Sequence, residues 1–225
     1  MNYLELCQTV RQECGAEGNG PSSVSGQTGE SLRFVNWVRR AWLKVQTSRN
    51  SWRWLHATTT KVLSAGVAEY AQSGIVVSRF GRWDRTNWVV YPTASGVTAS
   101  TPLSEISYDE YEQTYVHRSV ANGTPIHFAI GPDEKVYLGP APDATGWTLR
   151  CRYYKGAQTL TNNTDEPECP ADYHWIIVYE AMKYYARREA AAEIMEDAIR
   201  NYDQEEYRLE RDQLERPQAH EETLA

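Results

Sequence analysis

The sequence predicts an α+β protein: a helical bundle built from the N- and C-terminal helices, with an antiparallel β-domain inserted between them. Three observations carry this. Apolar residues recur at three- and four-residue steps near both ends of the chain. The middle, from about residue 54 to 156, is β-branched and punctuated by Gly, Pro, Asn and Asp. After Pro170 the helical period returns. The expected domains are therefore 1–53 with 157–216 as one discontinuous helical domain, 54–156 as the β-insert, and 217–225 as an extended tail.

The first helix is expected over 2–14, with Leu4, Cys7, Val10 and Cys14 on one stripe. "GAEGNGPSSVSGQTGE", residues 15–30, is rich in Gly and Ser, but it follows a helix and has no Lys after Gly26, so it is not a phosphate loop. It reads as a surface loop ending in a cap at Thr28 or Gly29, with Glu30 well placed in the first turn of the next helix. That helix spans about 29–48, with Leu32, Val35, Val38, Trp42 and Val45 as its buried stripe. The two helices are expected to pack antiparallel.

Strands are predicted at 54–63, 75–79, 86–91, 103–107, 125–130, 134–139 and 147–155, with a hairpin around Asp133-Glu134 and a possible short helix at 107–115. The chain then runs through "LTNNTDEPECP", a polar loop bracketed by prolines, directly into its most aromatic helix. Pro170 suits a first-turn position, and acids precede it near the positive end of the helix dipole. One long helix is expected over about 171–214, the Ala190–Ala192 run favouring it, until Pro217 stops it.

The 225 residues carry 30 acids and 23 Lys or Arg, but unevenly. Residues 189–225 hold 12 acids and 4 Arg, a net −8, whereas 28–61 hold seven bases against Glu30 alone, a net +6. A basic and an acidic helix suggest mutual docking, within a subunit or between neighbours; two solvated charged faces would look the same. Overall acidity disfavours a general nucleic-acid binder. No stretch has the ~20 apolar residues of a membrane span and no signal-peptide pattern opens the chain, so a soluble protein made in a cytosol is expected. The four Cys form no CxxC pair and the five His no metal spacing, so no metal or cofactor is assigned.

Catalytic patterns are missing too. There is no GxSxG elbow, Cys151 sits mid-strand without a His partner, and Glu105, Asp109 and Glu110 are the sort of carboxylates that cap and solvate. "GRWDRTNWVVY", residues 81–91, interleaves Trp83, Trp88 and Tyr91 with Arg82, Asp84 and Arg85. Such a cluster could stack on sugars or bases, anchor a neighbouring chain, or simply form core.

Residues 125–189 carry a pattern of their own. A hairpin ends in Pro140-Ala141-Pro142 and a strand in Tyr153-Tyr154. Then follow Leu160, Asp165, Pro167, Pro170 and Tyr173-His174, opening a helix with Tyr179, Ala181, Tyr184 and Ala186. In order and spacing this resembles the head-to-tail adaptor (neck or connector) proteins of tailed bacteriophages, as does the opening "NYLELCQTVRQECGAEGNGPSSVSGQTGESLRFVNWVRRAW". The resemblance covers most of the chain except roughly 62–122.

It implies a non-enzymatic virion protein at the head–tail interface, a closed ring commonly of twelve subunits, with genome DNA passing through during packaging and ejection without sequence-specific binding. The implied partners are the portal protein on one side and tail, stopper or nozzle proteins on the other. The C-terminal helix and tail would dock on the portal, with Tyr207, Leu209, Leu214, Pro217, His220 and Leu224 as candidates. Arg33, Arg39, Arg40, Lys44, Trp83, Trp88, Glu193 and Glu196 are the candidates for contacts between subunits. The stiff loop before the aromatic helix would fix a repeated junction of the ring and reduce the entropy lost on assembly. A phage-associated cell-wall glycan hydrolase or glycan-binding module is the alternative, and a single-stranded nucleic-acid binder using Trp83, Trp88 and nearby Arg is a third.

Overall fold

The structure is a computed structural model that describes residues 1–214 apart from positions 19 and 77. It mixes helices with antiparallel sheet, the expected α+β class. The chain divides into two compact units, Met1–Leu55 together with the chain from Ala157 onward, and His56–Gly156.

In the first unit, α1 (Tyr3–Glu13) starts at a capping box in which Asn2 and Glu5 satisfy each other's backbone N–H groups. Helix α2 (Gly29–Thr47) runs antiparallel to it: the Tyr3 hydroxyl donates to the Val35 carbonyl at 2.8 Å, and Arg11 meets Glu30 at 3.1 Å. Phe34, Val35, Val38, Ala41, Trp42 and Val45 are the buried stripe of α2. Leu32, expected on that stripe, is 40% exposed.

The single long helix expected at 171–214 is two helices. A short 3-10 turn at Ala171–Tyr173 leads into α4 (Trp175–Glu189), and α5 (Ala192–Gln213) follows a break at Ala190. Ala190 has φ 51°, ψ 33°, the left-handed conformation usually given to Gly, and the Ala191 N–H reaches back to the Ala186 carbonyl. Local propensity loses here to tertiary packing. Folded back on α4, α5 buries Ala198, Tyr202 and Leu209, its Tyr202 ring lying 3.4 Å from the Lys183 ammonium. A straight helix would forfeit that burial. Replacing Ala190 by Gly is expected to raise stability by ~0.5–1 kcal/mol, because Gly adopts this φ without the Cβ clash; chemical denaturation checks it.

The second unit holds two four-stranded sheets. One has the order β1 (His56–Val62), β8 (Trp147–Lys155), β3 (Phe80–Pro92), β4 (Thr101–Pro102), all antiparallel. The other has β2 (Glu69–Tyr70), β7 (Val136–Gly139), β6 (His127–Ile130), β5 (Ser104–Glu105), its last pair parallel. Between β5 and β6 lies α3 (Tyr108–Tyr111), continued by a π turn to Val116. Both sheets feed one core, in which Trp83, Trp88, Val90, Leu149 and Cys151 meet Phe128, Val136 and Leu138.

A bulge explains how both tryptophans reach it. Five residues apart, Trp83 and Trp88 would face opposite sides of a regular strand. Pairing shifts between Asp84↔Arg152 and Val89↔Arg150, so β3 carries three extra residues, with Asn87 at φ 55° and the Asp84 carboxylate accepting from the Thr86 N–H at 3.1 Å. The strand expected at 75–79 is not formed by its described residues. Ile75 and Val76 follow a 3-10 turn whose Gln72 carbonyl takes both their N–H groups, and they plug the core instead.

Candidate docking surfaces

The basic and acidic helices meet first inside the subunit. Glu180 on α4, 1% exposed, is held by Lys44 of α2 at 2.7 Å and by Lys183 at 2.6 Å. Farther along, Arg49 pairs with Glu210 at 2.5 Å, and the Arg53 guanidinium donates to the Asp212 carbonyl. Lys44 is thus spent within the fold rather than left for a neighbour. Trp83 and Trp88 are also corrected: at 4% and 0% exposure they are core and offer a neighbour no surface. The same burial removes them from any base-stacking role.

Arg33, Arg39 and Arg40 remain exposed on α2, beside exposed Leu32 and Leu43. Arg40 lies over the Tyr184 ring at 4.6 Å and keeps its outer edge in solvent. Glu193 and Glu196 are exposed at the start of α5, and Ile199 and Tyr207 are 45% and 66% exposed farther along it. Of the portal-docking candidates, Tyr207 is open, Leu214 is half-buried and Leu209 is fully enclosed, so Leu209 anchors α5 and is no contact residue. Pro217, His220 and Leu224 lie outside the described residues. Leu43 and Ile199 were missed in the sequence because charges dominate both faces, and Leu32 was placed on the buried stripe instead.

The loop before α4 is a clamp. Its Asn163 and Asp165 carbonyls take the N–H groups of Leu4 and Tyr3, which the first turn of α1 cannot satisfy itself. Gln158 and Gln46 exchange bonds: the Gln158 N–H donates to the Gln46 amide oxygen at 2.6 Å, and the Gln46 amide donates to the Gln158 carbonyl at 3.0 Å. The Gln158 side chain also accepts from the Trp42 indole. His174, 2% exposed, closes the loop; its Nε2 donates to the Cys169 carbonyl, leaving Nδ1 to accept from the Met1 nitrogen at 2.8 Å. None of these backbone pairings is visible in a list of residue types.

Inside the loop, the Asp165 carboxylate accepts from the backbone N–H groups of Asn162 and Thr161 and from both side chains, which hold its pKa down at about 2. A depressed carboxylate stabilises the fold above its unfolded value near 4, and that contribution disappears as pH falls through 2. Urea unfolding between pH 5 and pH 2 is expected to show a smaller acid loss in Asp165→Asn than in the parent chain.

Among the described residues no group of three His, Cys, Asp or Glu could hold a metal ion, and no helix is long and apolar enough to cross a membrane. Glu105 is tied to Arg85 at 2.8 Å, and Asp109 and Glu110 are solvated at the start of α3. A depression of about 320 Å³ between residues 23–25 and 161–164 is lined by hydroxyls and amides, with no carboxylate.

The family model described as SU10 adaptor protein matches residues 1–220. The chain belongs to that family. SU10 adaptors are phage head-to-tail adaptors, so the protein is a structural component of a virion. The match runs through residues 62–122, where no resemblance to the family is legible in the motifs. Among curated proteins no match was found.

Proposed function

We propose that this SU10-family adaptor assembles as a ring, of twelve copies, between the portal and the tail, and that genome DNA passes through it during packaging and ejection. The match to the adaptor family over residues 1–220 carries the reading. Its partners are then the portal protein and a tail, stopper or nozzle protein. In this reading the functional domains are a discontinuous helical domain, 1–53 with 157–216, and a β-insert at 54–156, and the division of the chain near residues 55 and 156 supports it.

In the ring, the outer face of α2, with Arg33, Arg39 and Arg40 around Leu32 and Leu43, meets the outer face of α5 of the next copy, with Glu193 and Glu196 near Ile199. Opposite charges around apolar contacts suit a head-to-tail interface that repeats until it closes. Tyr207 and the segment after Leu214 dock on the portal.

Native mass spectrometry of the chain alone and mixed with its portal is the test. Ring-sized masses that require the portal support the reading; a monomer that ignores the portal overturns it. For the subunit contact, Arg39→Glu with Arg40→Glu is expected to abolish rings, and adding Glu193→Arg with Glu196→Arg to restore them. Failure of that rescue with rings otherwise intact rejects these faces alone.

A further inference from the structure

The sheet β1-β8-β3-β4 has one strongly biased face. That face carries Arg82, Arg150 and Arg152 against a single carboxylate, Asp84, while Lys61 and Lys155 pair with Leu149 and Phe80 and lie on the core side; the strands of the other sheet carry Glu69 and Glu105 and no Lys or Arg. Alternation along β8 sends Leu149, Cys151 and Tyr153 into the core and leaves Arg150, Arg152 and Tyr154 on the opposite face. Register sets Arg82 beside Tyr154, and its guanidinium lies 4.0 Å from the centre of that ring. Across β8 on the other side stand Thr58, opposite Arg152, and Thr60, opposite Arg150, both exposed.

Asp84, which stands opposite Arg152, offsets one of these three charges and leaves the face basic. Its carboxylate is taken by His56 Nε2 at 2.7 Å and by the Thr86 N–H and hydroxyl. Among the described residues, no ion pair engages Arg150 or Arg152, while Arg85 is bound to Glu105.

We infer that this face binds the phosphate backbone of duplex DNA, through Arg150 and Arg152 with Arg82 and the Thr58 and Thr60 hydroxyls beside them. A protein partner is the weaker fit. Protein hot spots centre on a Trp, Tyr or Arg seated in a pocket; on this face the Tyr154 ring is half-buried beneath the Arg82 guanidinium, and Val62, at the sheet margin, is the one large apolar residue more than half exposed. A polyanion needs no such anchor, only donors spaced along a surface. The inference deepens the conduit reading by naming the face that touches DNA, yet it concerns the free chain and does not require the ring.

The test is fluorescence anisotropy of a labelled duplex of mixed sequence, titrated with the full chain into the ~10⁻⁴ M range where non-specific binding falls, at several salt concentrations. Binding that weakens with salt is expected, and Arg150→Gln with Arg152→Gln should lower the log–log salt slope by about 2. Arg200→Gln with Arg208→Gln, on α5, should leave the slope unchanged. Circular dichroism establishes that the variants fold. Absence of binding at low salt, or binding that the double variant does not alter, overturns the inference. So does tight capture of a polyglutamate peptide that displaces the duplex at equal charge, which would make the face an acidic-protein site. Portal-dependent ring formation, measured separately, is expected to survive the double variant, so loss of DNA binding and loss of the ring reading are distinguishable.

Discussion

Truncating Trp88 to Ala is expected to cost ~3–5 kcal/mol, enough to unfold the β unit or bring it to the edge of unfolding. The indole is fully buried, stacks on Phe128 with centroids 4.3 Å apart, meets Trp83 edge-on, and donates to the Asp84 carbonyl. Removing it loses transfer energy, leaves a cavity between the two sheets, and orphans a carbonyl that shapes the β3 bulge. Urea unfolding followed by circular dichroism measures the loss. A change below 1 kcal/mol would mean that the indole does not pack as described. Because the side chain is core, the variant is expected to lose folded protein and not merely assembly.

The second large effect is expected at Glu180. Its replacement by Ala should cost ~3 kcal/mol, the lower end of the range for breaking a buried ion pair. Lys183 is only 14% exposed and would be left against the Tyr202 ring without its counter-charge, whereas Lys44, 53% exposed, can return to water. The matching replacement of Lys44 by Ala should therefore cost less than ~1 kcal/mol, as exposed partners do. The Glu180 variant should also loosen α5 selectively, which hydrogen exchange along Ala192–Gln213 would detect. Equal losses in the two variants would show that the Lys44 contact carries the whole effect and that Lys183 adds nothing to it.

How much of this was legible depends on the kind of signal. Helices α1 and α2 fall within a residue or two of the boundaries that apolar spacing predicts, since one stripe on a polar helix has a single way to be buried. Strands β1, β6, β7 and β8 lie inside predicted segments for the same reason. The break at Ala190 was invisible, because nothing in "REAAAEIM" disfavours a helix and the turn is dictated by Lys183, Tyr202 and Glu180 meeting across the hairpin. The bulge was equally hidden: residue types alone left Trp83 and Trp88 as either core or a surface for a neighbour, and the choice rests on where the strand gains three residues.

Among the candidate contacts, exposure on α2 and at the start of α5 follows from the opposite face being the apolar stripe. Lys44 escaped because its partner, Glu180, is 136 residues away and buried, and a charge's partner is not written beside it. The basic sheet face was in the sequence as Arg150 and Arg152, two residues apart. Its meaning required knowing that Arg82 and Thr58 stand in the neighbouring strands.

The clamp of α1 by the segment that precedes α4 has a consequence for synthesis. The first 55 residues leave the ribosome with Tyr3 and Leu4 lacking the carbonyls that will cap them, and those partners lie at positions 163 and 165. At the usual 5–20 residues per second, roughly 5–25 s pass before α4 is made and that unit can close. During this interval the apolar stripe of α2 has only α1 to cover it, while the intervening β unit is contiguous and free to fold by itself. The nascent chain thus presents an unfinished helical surface at a stage when polysomes hold many copies close together, which is where a chaperone would find its first binding site.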